Sequence, residues 1–250
     1  MKLGTGHPVL HFERIDSTNA EARRLAEQGE RGPLWIVADE QTAGRGRIGR
    51  NWVSEPGNLY ATFLFAITAG PEVAAQVSFV AALAVHDMVT ALLPSLRPRI
   101  KWPNDVLIGG AKFCGVLPEV VGTAPTRIAI GCGVNIAHAP KGTPYPVTML
   151  GAAITIESVL QDLDLNLSNR LKIWDEGRDF AAIRKAWETN ALGIGGEVSA
   201  RAGTSEIRGI FKGLAADGAL VIRLPDGAEH SIHAGDVSFA ELERLRNPTP

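Results

Sequence analysis

Several features that would direct a first interpretation are scarce in this chain. Only two cysteines, Cys114 and Cys132, occur among its 250 residues, which excludes a framework of disulfides and favours a reducing compartment, the cytoplasm. Each cysteine lies in an apolar stretch, as a buried core thiol does. Basic and acidic residues nearly balance, 25 against 27, at a net charge of −2, so no broad nucleic-acid surface is indicated.

Long uninterrupted apolar runs are also missing. The longest apolar stretch, 77–93, is broken by His86 and Asp87, and a membrane span needs about 18 apolar residues without such breaks. Residues 1–6 lack the apolar core of a signal peptide. We therefore expect no membrane partner, and we expect 77–93 to form a helix packed inside the domain.

The common nucleotide and hydrolase motifs are absent as well. The chain has no Gly-x-x-x-x-Gly-Lys-Ser/Thr loop, no Gly-x-Ser-x-Gly elbow and no Cys-x-x-Cys pair. Gly131-Cys132-Gly133 lacks a third glycine and ends a strand instead of opening a helix, so it is not a dinucleotide fingerprint. A nucleotide that binds here would do so in an atypical way.

What the chain does have is a loop of alternating glycine and arginine. Residues 44–52 read Gly-Arg-Gly-Arg-Ile-Gly-Arg-Asn-Trp and follow an apolar strand over 34–40. Glycine lets the backbone approach a ligand closely, and arginine offers a planar fork of donors to phosphate or carboxylate. The loop predicts a small anionic ligand at a strand end. An arm for nucleic acid and a solvated turn are the two alternatives.

Three further segments have residue types that suit chemistry. Lys101-Trp-Pro-Asn-Asp105 is either an ordinary turn or a nucleotide site, with Asp105 for Mg²⁺ and Lys101 for phosphate. Lys112 is either a solvated strand start or a cation beside an anionic reaction centre. Gly115, inside the same strand, often marks the close approach of a ligand. Segment 131–136, Gly-Cys-Gly-Val-Asn-Ile, is weak evidence when taken alone.

Local patterns predict a mixed α/β sheet covered by helices on one side. Ser17 or Thr18 is the expected N-cap of the first helix, and Glu21 would complete a capping box with Thr18. Prolines make 137–150 a loop. The expected strands are 11–15, 34–40, 59–69, 100–102, 106–108, 113–121 and 127–136, and the expected helices are 20–28, 76–93, 155–160, 168–175 and 181–190.

A change in composition at 193–196 indicates a second domain. From there the chain has short apolar runs separated by turns at 202–203, 217–218 and 226–227, and Asp-Gly between such runs is a strong hairpin signal. We expect a catalytic domain over 1–192 and a small β-barrel over 193–250.

Taken together and in this order, the four segments resemble the biotin–protein ligases. The similarity runs from about Phe12 to Phe239. The glycine-arginine loop followed by Lys-Trp-Pro-Asn-Asp is highly specific to that family, and Lys-x-x-Gly-(Ile/Val)-Leu-x-Glu and Gly-x-Gly-x-Asn then arrive at the family's spacing. The resemblance implies an SH3-like C-terminal domain.

The resemblance also implies a reaction and a set of site residues. Biotin and ATP would form biotinyl-5′-adenylate with the help of Mg²⁺, and the biotinyl group would pass to a lysine of a biotin carboxyl carrier domain. Lys112 and Arg47 match the catalytic positions, and Asp105 matches the metal side. Biotin would contact Ser17, Thr18, Asn19, Gln41, Arg45, Gly46, Arg47, Lys112 and Gly115, and ATP would contact Arg47, Arg50, Trp52, Lys101, Asn104 and Asn135.

Two departures from the family pattern and two alternative functions accompany this interpretation. Ile48 stands where arginine is common in the family, which reduces the charge of the loop. Only 15 residues precede Asp16, so we expect a ligase without a DNA-binding domain, as a monomer or homodimer. A lipoate or octanoate transferase of the same fold is the nearest enzymatic rival, and a biotin-binding protein without a transfer step is the other.

Overall fold

The computed structural model describes residues 2–46, 49–202 and 205–242. Within these ranges seven strands form the first sheet, in the order β1-β2-β3-β7-β6-β5-β4. β1 and β2 are parallel and every other neighbouring pair is antiparallel, which confirms a mixed sheet. The strands are β1 (Val9–Ile15), β2 (Leu34–Gln41), β3 (Leu59–Ile67), β4 (Arg99–Lys101), β5 (Asp105–Ile108), β6 (Ala111–Thr123) and β7 (Thr126–Val134).

Helices cover both faces of this sheet, so the expectation of one covered side is wrong. Leu34 and Ile36 of β2 pack with Ala22 of the first helix, while Trp35 and Val37 belong to the larger core on the other face. A strand that is buried on both faces is apolar throughout and shows no alternation in its sequence. The helices are α1 (Thr18–Glu27) on one face, and α2 (Val77–Leu92), α3 (Ile156–Trp174) and α4 (Phe180–Asn190) on the other.

The most apolar segment is a core helix, as expected. Together with the short 3₁₀ turn before it, α2 spans Pro71–Leu92 and is long and apolar enough to cross a membrane by length and composition alone. Of its most apolar window, 61% is buried inside the structure. It packs against α3, α4 and β6, so its apolar surface is accounted for by the core.

α3 is one continuous helix where two separate segments are expected. The polar residues between them include Asp164, which is fully buried and accepts a hydrogen bond from Trp35 Nε1 at 2.8 Å. His7 Nδ1 lies 2.6 Å from the same carboxylate, and the Thr5 hydroxyl donates to it. A charged residue at a buried position interrupts the apolar pattern by which a helix is recognised in a sequence. The partners that satisfy this carboxylate are distant in sequence, so the local pattern does not reveal them.

The first helix starts at the expected cap but without a capping box. The Ser17 side chain accepts a hydrogen bond from the Ala20 backbone, so Ser17 is the N-cap. Glu21 pairs with Arg24 at 2.6 Å instead of returning to the cap. Because Ser17 is the cap, the hydroxyl of Thr18 is free of that role and can bond to side chains inside the protein.

The second sheet has five antiparallel strands in the order β11-β10-β9-β8-β12. The Asp217-Gly218 and Asp226-Gly227 turns join successive strands, as predicted. Gly203, part of the third expected turn, lies outside the described residues. Within the described part of the chain β11 and β12 remain edges, so this sheet is not a closed barrel. Its strands are β8 (Glu197–Ala202), β9 (Ser205–Leu214), β10 (Leu220–Arg223), β11 (Glu229–Ile232) and β12 (Asp236–Phe239).

Candidate active site

The floor of the candidate site is a part of the first sheet that carries almost no side chains. Gly115 of β6 is paired with Gly133 of β7, and Gly131 lies on the same face because alternate residues of a strand share a face. A Cβ atom on Gly115 or Gly133 would lie 2.7 or 2.5 Å from the ring of Trp52. Glycine is therefore required at both positions for the indole to lie there. Above this floor is a cavity of about 170 Å³.

A hydrogen-bonded cluster of polar side chains forms the wall on the β2 and β3 side of the cavity. The backbone N–H of Thr18 donates to Gln41 Oε1 at 2.9 Å, and the Thr18 hydroxyl donates to the same oxygen at 3.1 Å. Thr62 Oγ1, fully buried on β3, lies 2.7 Å from Asn19 Oδ1 and 2.8 Å from Thr18 Oγ1. Ser17, Thr18, Asn19 and Gln41 all line the cavity. Together with Thr62 they are called the polar wall below. These partners hold each polar group in one orientation.

The glycine-arginine loop folds back on itself beside this wall. Arg45 and Asn51 form an isolated antiparallel bridge, and the N–H of Gly46 donates to the carbonyl of Arg50 at 2.7 Å. Arg45, with its side chain 47% exposed, lies 3.3 Å from a carboxylate oxygen of Glu119. Four of the expected loop residues line the cavity: Arg45, Gly46, Arg50 and Trp52.

The end of the loop is connected to the polar wall. Gln41 Nε2 donates to Ser54 Oγ at 2.9 Å, and that hydroxyl donates to the Trp52 carbonyl at 3.1 Å. The Trp52 indole lies against the glycine floor, and its Nε1 is buried without a hydrogen-bond partner among the described residues. Arg47 and Ile48 lie outside those residues, so the catalytic, biotin and nucleotide contacts of Arg47 stay predictions.

A lysine and a carboxylate form an ion pair on the β5 and β6 side of the cavity. Lys112 Nζ lies 2.6 Å from Asp105 Oδ1, and the two side chains are 18% and 29% exposed. Lys101 of β4 is opposite Asp105 in the hairpin and also lines the cavity. The hairpin predicted over 100–108 and the start of β6 together bring two lysines and one carboxylate to the same side. Such a group of charges suits a phosphate or carboxylate ligand.

Three residues of the site received no role from the sequence. Tyr145 comes from the proline-rich loop, and the centroid of its ring lies 5.7 Å from Lys112 Nζ. Thr62 is one polar residue in an apolar strand. Glu119 accepts a hydrogen bond from Asn19 Nδ2 at 2.6 Å. Composition predicts only a loop around Tyr145, and no local pattern distinguishes Thr62. Glu119 ends the Lys-x-x-Gly-(Ile/Val)-Leu-x-Glu motif, but its contacts, like those of Thr62, depend on segments that meet only in the fold.

Two asparagines that were expected at the nucleotide make structural contacts instead of lining the main cavity. Asn104, 2% exposed, donates to the carbonyl of Val116 at 2.8 Å. Asn135 donates to the carbonyl of Thr148 at 3.1 Å and lines a smaller adjoining cleft of about 60 Å³. Their contacts with a nucleotide stay predictions.

Both cysteines are buried free thiols, as expected. Burial raises the pKa of Cys132 to about 12 and raises that of Cys114 well above its usual value. Neither is a thiolate at neutral pH, so neither serves as a nucleophile in the ligand-free protein.

The second sheet reaches the same cavity. Gly235, Val237 and Leu242 contribute to its lining. The Trp102 indole, 4% exposed, donates from Nε1 to the carbonyl of Gly218 at 3.1 Å. Trp102 therefore joins the Lys101–Asp105 turn to the second sheet.

The comparisons with known proteins identify the class. Residues 11–135 match the Biotin/lipoate A/B protein ligase family, and residues 193–240 match the Biotin protein ligase C terminal domain. The chain belongs to the Biotin/lipoate A/B protein ligase family.

Individual relatives narrow the assignment. The chain is 43% identical, over 90% of its length and 98% of the relative's, to a biotin–[acetyl-CoA-carboxylase] ligase of Paracoccus denitrificans. It is 30% identical to the bifunctional ligase/repressor BirA of Escherichia coli, over 96% of this chain and 76% of that one. A biotin protein ligase from Aquifex aeolicus, solved in complex with biotin and ATP, has a TM-score of 0.77 at 29% identity and covers 94% of this chain and 99% of its own. Within its family, this chain is an enzyme of the biotin ligase type.

Proposed function

We propose that this chain uses ATP to convert biotin to biotinyl-5′-adenylate and then transfers the biotinyl group to a lysine of a biotin carboxyl carrier domain. In the first step a carboxylate oxygen of biotin attacks the α-phosphorus, the bond to the β-phosphate oxygen breaks, and pyrophosphate leaves. In the second step the lysine amine attacks the acyl carbon, AMP leaves, and the amine proton passes to solvent. The carrier and the reducing cytoplasm as the place of action are parts of this proposal.

The observation that supports it best is the separation of two kinds of group across the glycine floor. The polar wall lies on the β2 and β3 side, and Lys112 lies on β6, two strand spacings from β3 in the sheet order. Two spacings are roughly 10 Å. Biotin has a ureido ring at one end and a carboxylate at the other, so a single molecule can meet both sides of the cavity. We propose Ser17, Thr18, Asn19 and Gln41 for the ring end.

Lys112 is the proposed catalytic cation. The attacking carboxylate and the triphosphate are both anions, so their approach needs positive charge that is already in place. Lys112 Nζ faces the cavity and is held by Asp105. We propose that Lys101, Arg45 and Arg50, which line the same cavity, add charge around the phosphates.

The residues present also fit Mg²⁺. This ion commonly binds through one or two carboxylates together with substrate phosphates and water, and Asp105 places one carboxylate at the cavity. Asp105 would hold the ion, which would supply neutralisation of phosphate charge. Only Oδ1 of Asp105 contacts Lys112, so the second carboxylate oxygen would be available to the ion.

We also propose that the functional units are a catalytic domain over 1–192 and a C-terminal domain over 193–250. The second sheet begins at Glu197 and has its own strand order. Its contribution to the lining of the cavity gives it a part in the same site.

The test is a transfer assay with the purified chain, ATP, Mg²⁺ and a carrier domain. We expect the mass of the carrier to rise by one biotinyl group. A rise with lipoate or octanoate but none with biotin would favour the transferase rival. Biotin binding without adenylate or transfer would favour a binding protein.

Lys112→Ala tests the mechanism itself. Adenylate formation should fall by several hundred-fold or more, on the order of 3–4 kcal/mol for one preorganised charge. The control is Lys141→Ala, which removes an exposed lysine that lines neither cleft. Normal release of pyrophosphate by Lys112→Ala would remove Lys112 from the mechanism.

A further inference from the structure

The ammonium of Lys112 lies over two aromatic rings. Its Nζ is 5.8 Å from the centroid of Trp52 and 5.7 Å from that of Tyr145. Both distances are within the range of about 6 Å at which a cation interacts with a π face. Trp52 belongs to the glycine-arginine loop, whereas Tyr145 comes from a loop that the proposed function does not use.

The backbone fixes Tyr145 relative to Lys112. The segment that follows Tyr145 runs beside the start of β6, where Lys112 and Val147 form a parallel bridge. The N–H of Lys112 donates to the carbonyl of Pro146 at 2.9 Å, and the N–H of Thr148 donates to the carbonyl of Lys112 at 2.9 Å. Because the backbone of Tyr145 adjoins this short ladder, its position beside Lys112 is set while the ladder is intact.

An aromatic ring and a carboxylate hold a lysine ammonium in different ways. Asp105 holds Lys112 by charge and would compete with an incoming anion for the same ammonium. An aromatic face attracts the ammonium without neutralising it, so the full charge remains available to the substrate. The ring thus helps to hold the ammonium in place while its charge is directed to the substrate.

We propose that Tyr145 is a positioning residue that holds the Lys112 ammonium at the cavity during adenylate formation. This inference rests on the proposed function, since it concerns the same lysine. Tyr145 acts through Lys112 and needs no contact with biotin or ATP of its own.

The experiment measures single-turnover formation of biotinyl-adenylate in variants of the full chain. Tyr145→Leu, which keeps an apolar side chain but removes the π face, should be about fivefold slower, from a cation–π interaction of about 1 kcal/mol. Tyr145→Phe keeps the ring and should recover most of the rate. The control is Met149→Leu in the same segment, where the side chain is exposed, and it should match the wild type.

A double-mutant cycle separates positioning through Lys112 from other roles. In a Lys112→Gln background, Tyr145→Leu should cause no further loss. A full fivefold loss in that background, or a Tyr145→Phe variant as slow as Tyr145→Leu, would overturn the proposal. Circular dichroism and thermal unfolding check that each variant folds, and Tyr145→Met replaces Tyr145→Leu if that variant does not. A wild type that forms no adenylate would instead refute the proposed function.

Discussion

The hydrogen bond between Trp102 and Gly218 offers a direct measure of how the second sheet is held to the first. The substitution is Trp102→Phe, which keeps an aromatic side chain but removes the N–H that lies 3.1 Å from the carbonyl of Gly218. A buried acceptor that loses its donor costs about 1–3 kcal/mol. For a chain of this size 1 kcal/mol corresponds to about 2–4 °C in Tm, so the hydrogen bond alone should lower Tm by several degrees.

The chain contains a matched control for this substitution. Trp187 is fully buried, and its Nε1 has no hydrogen-bond partner in the described part of the chain. Trp187→Phe removes the same atoms from an apolar environment but breaks no hydrogen bond, so the cavity left by the smaller ring is common to both variants. Trp187→Phe also removes a buried donor that has no partner, so the two variants should differ by at least the value of the bond to Gly218, about 1–3 kcal/mol.

The assays are denaturant unfolding and the KM for ATP. Lys101 and Asp105 belong to the same turn as Trp102, so a looser turn should raise the KM for ATP more than the KM for biotin. If Trp102→Phe and Trp187→Phe lose equal stability, and if both keep the wild-type KM for ATP, the inferred coupling between the second sheet and this turn is refuted.

Two further predictions concern the start of α1. Thr62→Val removes the buried hydroxyl beside Asn19 and Thr18. The free energy of unfolding should fall by about 1–3 kcal/mol, and calorimetry should show weaker biotin binding. Unchanged values of both would exclude Thr62 from the polar wall. The hydrogen bond with Arg24 lowers the pKa of Asp16 to about 2, so its contribution is present above the unfolded pKa of about 4 and is lost as pH falls towards 2. Because Asp16 is half-exposed, Asp16→Asn should cost below about 1 kcal/mol at neutral pH, and a stability gap to the wild type that persists at pH 2 would contradict this assignment.

Local patterns were sufficient where neighbours in sequence determine the structure. The hairpin around Pro103, the turn at Gly218 and the cap at Ser17 follow from short-range turn and capping chemistry. Local patterns failed where the partner is remote. Asp164 is 129 residues from Trp35, so nothing near Asp164 in the sequence indicates that its carboxylate is satisfied inside a continuous helix.

The sequence by itself determined the family and the types of side chain at the candidate site. Alternating glycine and arginine, the Lys101–Asp105 turn and Lys112 supply backbone space and positive charge, which are properties of residue types and their order. The tertiary structure alone decided which side chains meet. Asn104 points to a backbone carbonyl while Tyr145 covers Lys112, because strand register and the packing of distant segments decide which face each side chain occupies.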